Sequence, residues 1–493
     1  MTTTFPAQLP AIRNFAECRA WLATVPVDDS GAACEAFIAM LGQLEDIPPR
    51  PGPYLDVLEC MREPARAAQA DQTRAFAGTP QPLARDALAA YDRVTDLGAA
   101  LARAYRALLR EHLDGVAPEL QRRVALLCQR SMESLAELMA AAWRARREID
   151  HELWRRLHET YRLAEERGVA RERVSRSRSE QTMPSVAELY VRALLIHLAQ
   201  PYALAPREFQ WLRRWAGLWA GKVSLEAELA DAAQGFAVDL NGDAPPGWTP
   251  ADAAAPAVRF LNARPLYRSV VSRLKRLRKG DDPADLGLGD DCGYADATRL
   301  LQGAYRCWFD NPAPRAPLRR TSAGMTALVP GIDAAHQLVI QPCPAGIVTE
   351  QWDTVGESAT TFRLRRHGSD ARLCVQQLVG LRPPGARAVI LCFIESLMTG
   401  ADGALELGAR AFPGVARPAT VRVRDGARGG ELPAFFLPEV PGEPASLVLP
   451  EQAAATGRML QLDLDGAVRD VRVEAVVQQG HDFARATIAY GDA

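Results

Sequence analysis

Lysine is almost missing from this chain: of 58 basic residues only Lys222, Lys275 and Lys279 are lysine, and the rest are arginine. Arginine at that frequency makes any short arginine motif easy to meet by chance. Net charge is scarce as well, only -2 over 493 residues. No global field exists to gather a polyanion, so nucleic acid is not an expected partner. Long apolar runs are lacking, and the strongest, AVILCFI at 388–394, is far too short to cross a bilayer. The first residues, MTTTFPAQLPAIRNF, lack a basic segment followed by an apolar one. A cytoplasmic protein without membrane insertion is expected. The nine cysteines are odd in number and include no C-x-x-C, which suits neither a disulfide framework nor a zinc site. They read as reduced, mostly buried small hydrophobes.

Catalytic signatures are also missing. There is no G-x-S-x-G, no H-E-x-x-H and no dinucleotide fingerprint at a strand-to-helix turn. GLWAGKVS at 217–224 is one residue short of a phosphate loop and continues a tryptophan-rich helix. The seven histidines are isolated, with no second ligand at a chelating spacing. The acidic loop holding Asp281, Asp282, Asp285, Asp290 and Asp291 lacks the order of a calcium loop and reads as a solvated turn. No metal, no catalytic residue and no cofactor are expected.

What the sequence does have is helical periodicity up to about residue 235. After Pro184, Ser185 and Glu188 form a capping box, Val186, Leu189, Ala193, Leu194 and Leu198 make an apolar face, and Pro201 ends the run. A second helix opens on Pro206 and lines up Phe209, Leu212, Trp215 and Trp219, so the two form a helical hairpin. Trp143, Trp154, Leu157, Tyr161 and Ala164 mark one long helix upstream. This helical-repeat-like part, with its aromatic density between Trp143 and Trp219, suggests a groove or aromatic edge for a protein partner. RERVSRSR at 171–178 breaks the pattern and reads as an exposed connector. GFAVDLNGDAPPGWTPADAAAP at 235–256 reads as a loop or linker. A further helix spans about 265–279, with Val270, Val271, Leu274 and Leu277 inward.

After Pro312 the period changes to two. ATVRVRD at 419–425 alternates, as do Leu460, Leu462 and Leu464, then an Asp465-Gly466 turn, then Val471, Val473 and Val477. Proline and glycine at roughly ten-residue spacing favour antiparallel barrels over a parallel sheet. The expected architecture is multidomain α plus β: a helical interaction domain at 1–235, a linker with connecting helices at 236–311, a β-barrel at 312–428 and a small β domain at 429–493.

Arg315-x-x-x-Arg319, with Arg320 beside it, precedes the β region, and WDTVGESATTFRL follows at 352–364. This layout resembles the bacterial PilZ family, six-stranded barrels that bind cyclic di-GMP. There an R-x-x-x-R arm clamps phosphates and guanine faces, and a [DN]-x-S-x-x-G strand adds polar contacts. The resemblance implies ligand contacts by Arg315, Arg319, Arg320 and Ser358. Guanidinium groups suit that task, since they grip phosphate bidentately and stack on purines. Gly356 stands where the family has Asp or Asn, and Thr361 where it has Gly, so a side-chain acceptor is lost and a Cβ added. The reading is a non-enzymatic regulatory or adaptor protein with a degenerate PilZ-like domain and weak cyclic di-GMP binding. A scaffold without nucleotide binding and an enzyme with a site assembled from distant residues are the alternatives.

Overall fold

The computed structural model describes residues 9–174, 183–228, 234–250, 255–310, 324–341, 346–386, 388–424 and 430–490. They fall into a helical unit, up to residue 310 except for Pro80–Pro82 and Tyr202–Ala205, and a β unit made of those two segments and the described residues from 324 on.

The helical unit begins with eight helices: α1 (Phe15–Leu22), α2 (Ser30–Asp46), α3 (Pro51–Phe76), α4 (Arg85–Leu113), α5 (Val124–Arg144), α6 (His151–Glu166), α7 (Val186–Leu198) and α8 (Pro206–Trp219). Helix α4 packs against α2, α3 and α5, and α5 in turn against α6 and α7. The ends follow the local chemistry. Asp29 caps α2 by accepting from the Gly31 and Ala32 N–H groups, both at 3.0 Å. Ser185 and Glu188 close the expected capping box on α7, and α7 packs on α8 as a hairpin. The single long helix expected through Trp143 and Trp154 is two helices. Arg146 takes a left-handed backbone (φ 58°) just past α5, and Asp150 starts α6 anew by accepting from Glu152 N. The aromatic density is internal: Trp143, Trp154, Trp211, Trp215 and Trp219 are all buried. The expected exposed aromatic edge is therefore absent from these tryptophans.

The presumed linker carries strands. β1 (Ser224–Glu226), β2 (Gln234–Asp239), β3 (Gly247–Pro250) and β4 (Val258–Asn262) form an antiparallel sheet in the order β1-β4-β2-β3. Its strands are too short and too rich in glycine and proline for period two to emerge. Helices α9 (Arg264–Arg278) and α10 (Tyr294–Phe309) complete the unit. In RERVSRSR, residues 175–178 lie outside the described residues. Among the described residues no helix is long and apolar enough to cross a membrane, and no group of histidine, cysteine and acidic side chains could hold a metal ion.

The β unit is two closed six-stranded antiparallel barrels, as the change of period implies. The first contains β5 (Met325–Pro330), β6 (Glu350–Glu357), β7 (Thr361–His367), β8 (Leu378–Arg382), β9 (Ile390–Thr399) and β10 (Ala404–Ala411), with helix α11 (Ile332–Ile340) inserted after β5. The second contains β11 (Arg417–Val423), β12 (Leu432–Leu437), β13 (Ser446–Leu449), β14 (Met459–Leu464), β15 (Ala467–Gln479) and β16 (Ala484–Tyr490). ATVRVRD thus lies in the second barrel, not in a first barrel ending at 428, because β11 pairs with β12 and β14. The β14–β15 hairpin turns at Asp465 and Gly466, both at positive φ (54° and 80°), as its sequence predicts.

Both barrels close in the same cyclic order: first strand, second, third, sixth, fifth, fourth. Each has its own interior, Trp352, Leu364, Leu381 and Ile394 in the first and Val421, Leu447, Leu460 and Val471 in the second. A third cluster joins them, with Val329, Ile332 and Leu378 of the first meeting Phe435, Val448 and Phe483 of the second. Polar contacts fix that junction: Leu378 N donates to Asp482 Oδ1 at 2.8 Å, and His336 on α11 lies 2.9 Å from Ala419 O on β11.

Candidate functional site

Of the four residues singled out in the sequence, Arg315, Arg319 and Arg320 lie outside the described residues. Ser358 occupies the short turn between β6 and β7. Its Oγ accepts from Thr360 N (3.3 Å) and Thr361 N (3.1 Å) and shares a hydrogen bond with Thr361 Oγ1 (2.6 Å), while its own N–H donates to Thr361 O. A hydroxyl offers one donor and two acceptor positions, so Ser358 is satisfied by its own turn. Thr361, the departure from the family pattern, supplies three of these four contacts. Gly356 sits where the β6–β7 register shifts.

Close to that turn in sequence, the start of β6 is anchored by Glu350. The carboxylate is buried and accepts from Asp370 N (3.0 Å), Ala371 N (2.8 Å), Ser369 Oγ and the Trp352 indole N–H (3.1 Å). Arg366 Nη1 stands 3.3 Å from it. Trp352 is fully buried, so it is barrel core and no stacking platform. The carboxylate holds the loop between β7 and β8 to the barrel wall.

A second arrangement was not singled out in the sequence. In the helical unit, α3, α4, α5 and α8 enclose a cleft of about 340 Å³. Its walls carry five arginines, Arg62, Arg66, Arg74, Arg144 and Arg213, against two glutamates, Glu133 and Glu137. Arg62 and Arg66 lie one helical turn apart on α3, and Glu133 and Glu137 one turn apart on α5. Glu133 accepts from Arg62 (3.0 Å) and Arg66 (2.6 Å). Glu137 holds Arg192 (3.2 Å) and, more closely, Arg213. Burial works against the Glu137 anion, but Arg213, Arg192, Arg144 and Arg66 outweigh it and hold its pKa at about 2. Arg144 lies over the Phe209 ring at 5.5 Å, and burial together with the like charges of Arg213 and Arg192 pushes its pKa down to about 10. The paired R-x-x-x-R and E-x-x-x-E spacings, 67 residues apart at their closest ion pair, were the available signal. They become informative only once α3 and α5 are known to face each other.

The family described as the N-terminal domain of the cyclic-di-GMP receptor FimW has a model that matches residues 16–231. That span covers α1 to β1, so the match falls on the helices, whereas the resemblance in the sequence lay in the C-terminal part. No curated protein and no solved structure matches the chain.

Proposed function

We propose that this protein is a non-catalytic regulatory receptor for cyclic di-GMP, with the ligand gripped at the first barrel by Arg315, Arg319 and Arg320. The observation that carries the reading is the match of residues 16–231 to a domain of a cyclic-di-GMP receptor. It joins a signal elsewhere in the chain, the R-x-x-x-R segment that precedes, in sequence, a closed six-stranded barrel. With the Ser358 hydroxyl committed to its turn, the arginines provide the grip. Each charge-assisted contact to phosphate contributes on the order of 1.5–3 kcal/mol, while each missing polar contact removes about 1–3 kcal/mol, so the affinity is weak.

Calorimetry with cyclic di-GMP on wild type, Arg315→Ala and Arg319→Ala tests the proposal. Weak binding that disappears in either variant is the expected result. No heat at millimolar ligand sinks the receptor reading, and binding indifferent to both substitutions removes the arm from the site.

A further inference from the structure

The arginine cleft of the helical unit has more donors than it can use internally. Each guanidinium carries five N–H donors. Arg66 gives one hydrogen bond to Glu133, and Arg213 one to Glu137, with the Arg213 Nε buried and without a partner among the described residues. Arg144 makes no ion pair among them; its guanidinium rests on Phe209. Three of the four neutral polar side chains of the lining are committed: Gln69 Nε2 donates to Val94 O, Thr73 Oγ1 to Gln69 O and Ser134 Oγ to Arg130 O, while Gln210 is exposed. What stands open is mainly guanidinium, contributed by three of the four wall helices, with three more positive than negative side chains in the lining.

Such an excess persists only at a cost, because like charges in a poorly hydrated cleft repel and are expensive to desolvate. The depressed Arg144 pKa reflects burial first and, after it, the repulsion from Arg213 and Arg192. The carboxylate role is filled, since Glu133 already holds three arginines and Glu137 two. A further planar carboxylate would engage one guanidinium fork; the tetrahedral oxygens of a phosphate can accept from guanidiniums arriving from α3, α5 and α8 together. The cleft volume, about 340 Å³, falls in the range of small-molecule sites.

We infer that this cleft is a binding site for a small phosphorylated ligand with a head group of at least two negative charges, held by Arg66, Arg144 and Arg213. The inference goes beyond the receptor reading and stands whether or not the first barrel binds cyclic di-GMP.

The test is calorimetry on the full chain in physiological salt, with pyrophosphate and GMP as probes. Wild type is expected to bind at least pyrophosphate. Arg144→Gln, which breaks no ion pair, is expected to weaken binding by roughly tenfold or more while leaving the ligand-free melting temperature unchanged or raised. Glu137→Gln removes the internal competitor and is expected to tighten binding, a direction that a merely structural glutamate would not give. Arg315→Ala should bind pyrophosphate as wild type does, which separates this site from the barrel. Absence of binding by both probes at millimolar concentration overturns the inference. So does binding that Arg144→Gln and Glu137→Gln leave unchanged, or binding that Arg315→Ala abolishes.

Discussion

Glu350→Gln in the first barrel keeps the shape of the side chain and removes its charge. The wild-type carboxylate accepts from two backbone N–H groups, one hydroxyl and one indole, beside Arg366 at 3.3 Å. A glutamine oriented to keep the Asp370 and Ala371 bonds turns its NH2 toward the Trp352 indole N–H, donor against donor, in a fully buried position. Stranding that indole costs about 1–3 kcal/mol, and the lost attraction to Arg366 and weakened backbone bonds bring the total to roughly 2–4 kcal/mol. Urea unfolding followed by circular dichroism gives the global loss. Hydrogen exchange at residues 369–373 gives the local one, where amide protection should fall more than elsewhere in the β unit. A change below about 1 kcal/mol, with protection of that loop intact, would refute the role assigned to Glu350.

His197 packs edge-on to Trp154 at 5.0 Å, and burial lowers its pKa to about 4. Since the unfolded value is near 6.5, stability is complete above that pH and falls as pH drops from 6.5 to 4, by at most about 3 kcal/mol from this residue. A His197→Phe variant whose urea midpoint declines as steeply as wild type over that range would contradict this. In β8, a Cβ on Gly380 would stand 3.1 Å from Val329 Cγ2 and Val389 Cγ1 and 3.3 Å from Ala335 Cβ on α11. Gly380→Val should therefore destabilise the β unit by about 1–3 kcal/mol in thermal or urea melts, and an unchanged midpoint would show that α11 yields freely.

Elements with both ends marked in the sequence were legible. α7 had a capping box and a terminal proline, and the β14–β15 hairpin had alternating residues around Asp465-Gly466. Elements whose identity depends on tertiary contact were not. The α11 segment is nine residues inside strand-like sequence and is held by burial of Ile332, Ala335 and Leu338. The β1–β4 sheet lies in a segment whose local composition favours turns. The boundary between barrels fell wrongly because nothing local tells β11 which neighbours it will have. The two proposed sites divide in the same way. Arg315, Arg319 and Ser358 were visible through a linear motif, whereas the arginine cleft draws on α3, α5 and α8 and leaves only scattered arginines in a chain that is full of them.

The shared ring order of the two barrels carries an evolutionary consequence. Two six-stranded rings with the same connectivity, joined by the short segment from Phe412 to Ala416, have the form of a tandem duplication. In the first barrel the connection after the first strand carries α11. That helix packs on β5 and β8 of its own barrel and on β11 and β12 of the other, and His336 reaches the Ala419 carbonyl. The helix thus ties the two rings into one assembly. Phe435 and Phe483 are covered by Ile332 and Leu378, so either ring made alone would bare apolar surface. Each ring is therefore also the other's wall, whatever either one binds.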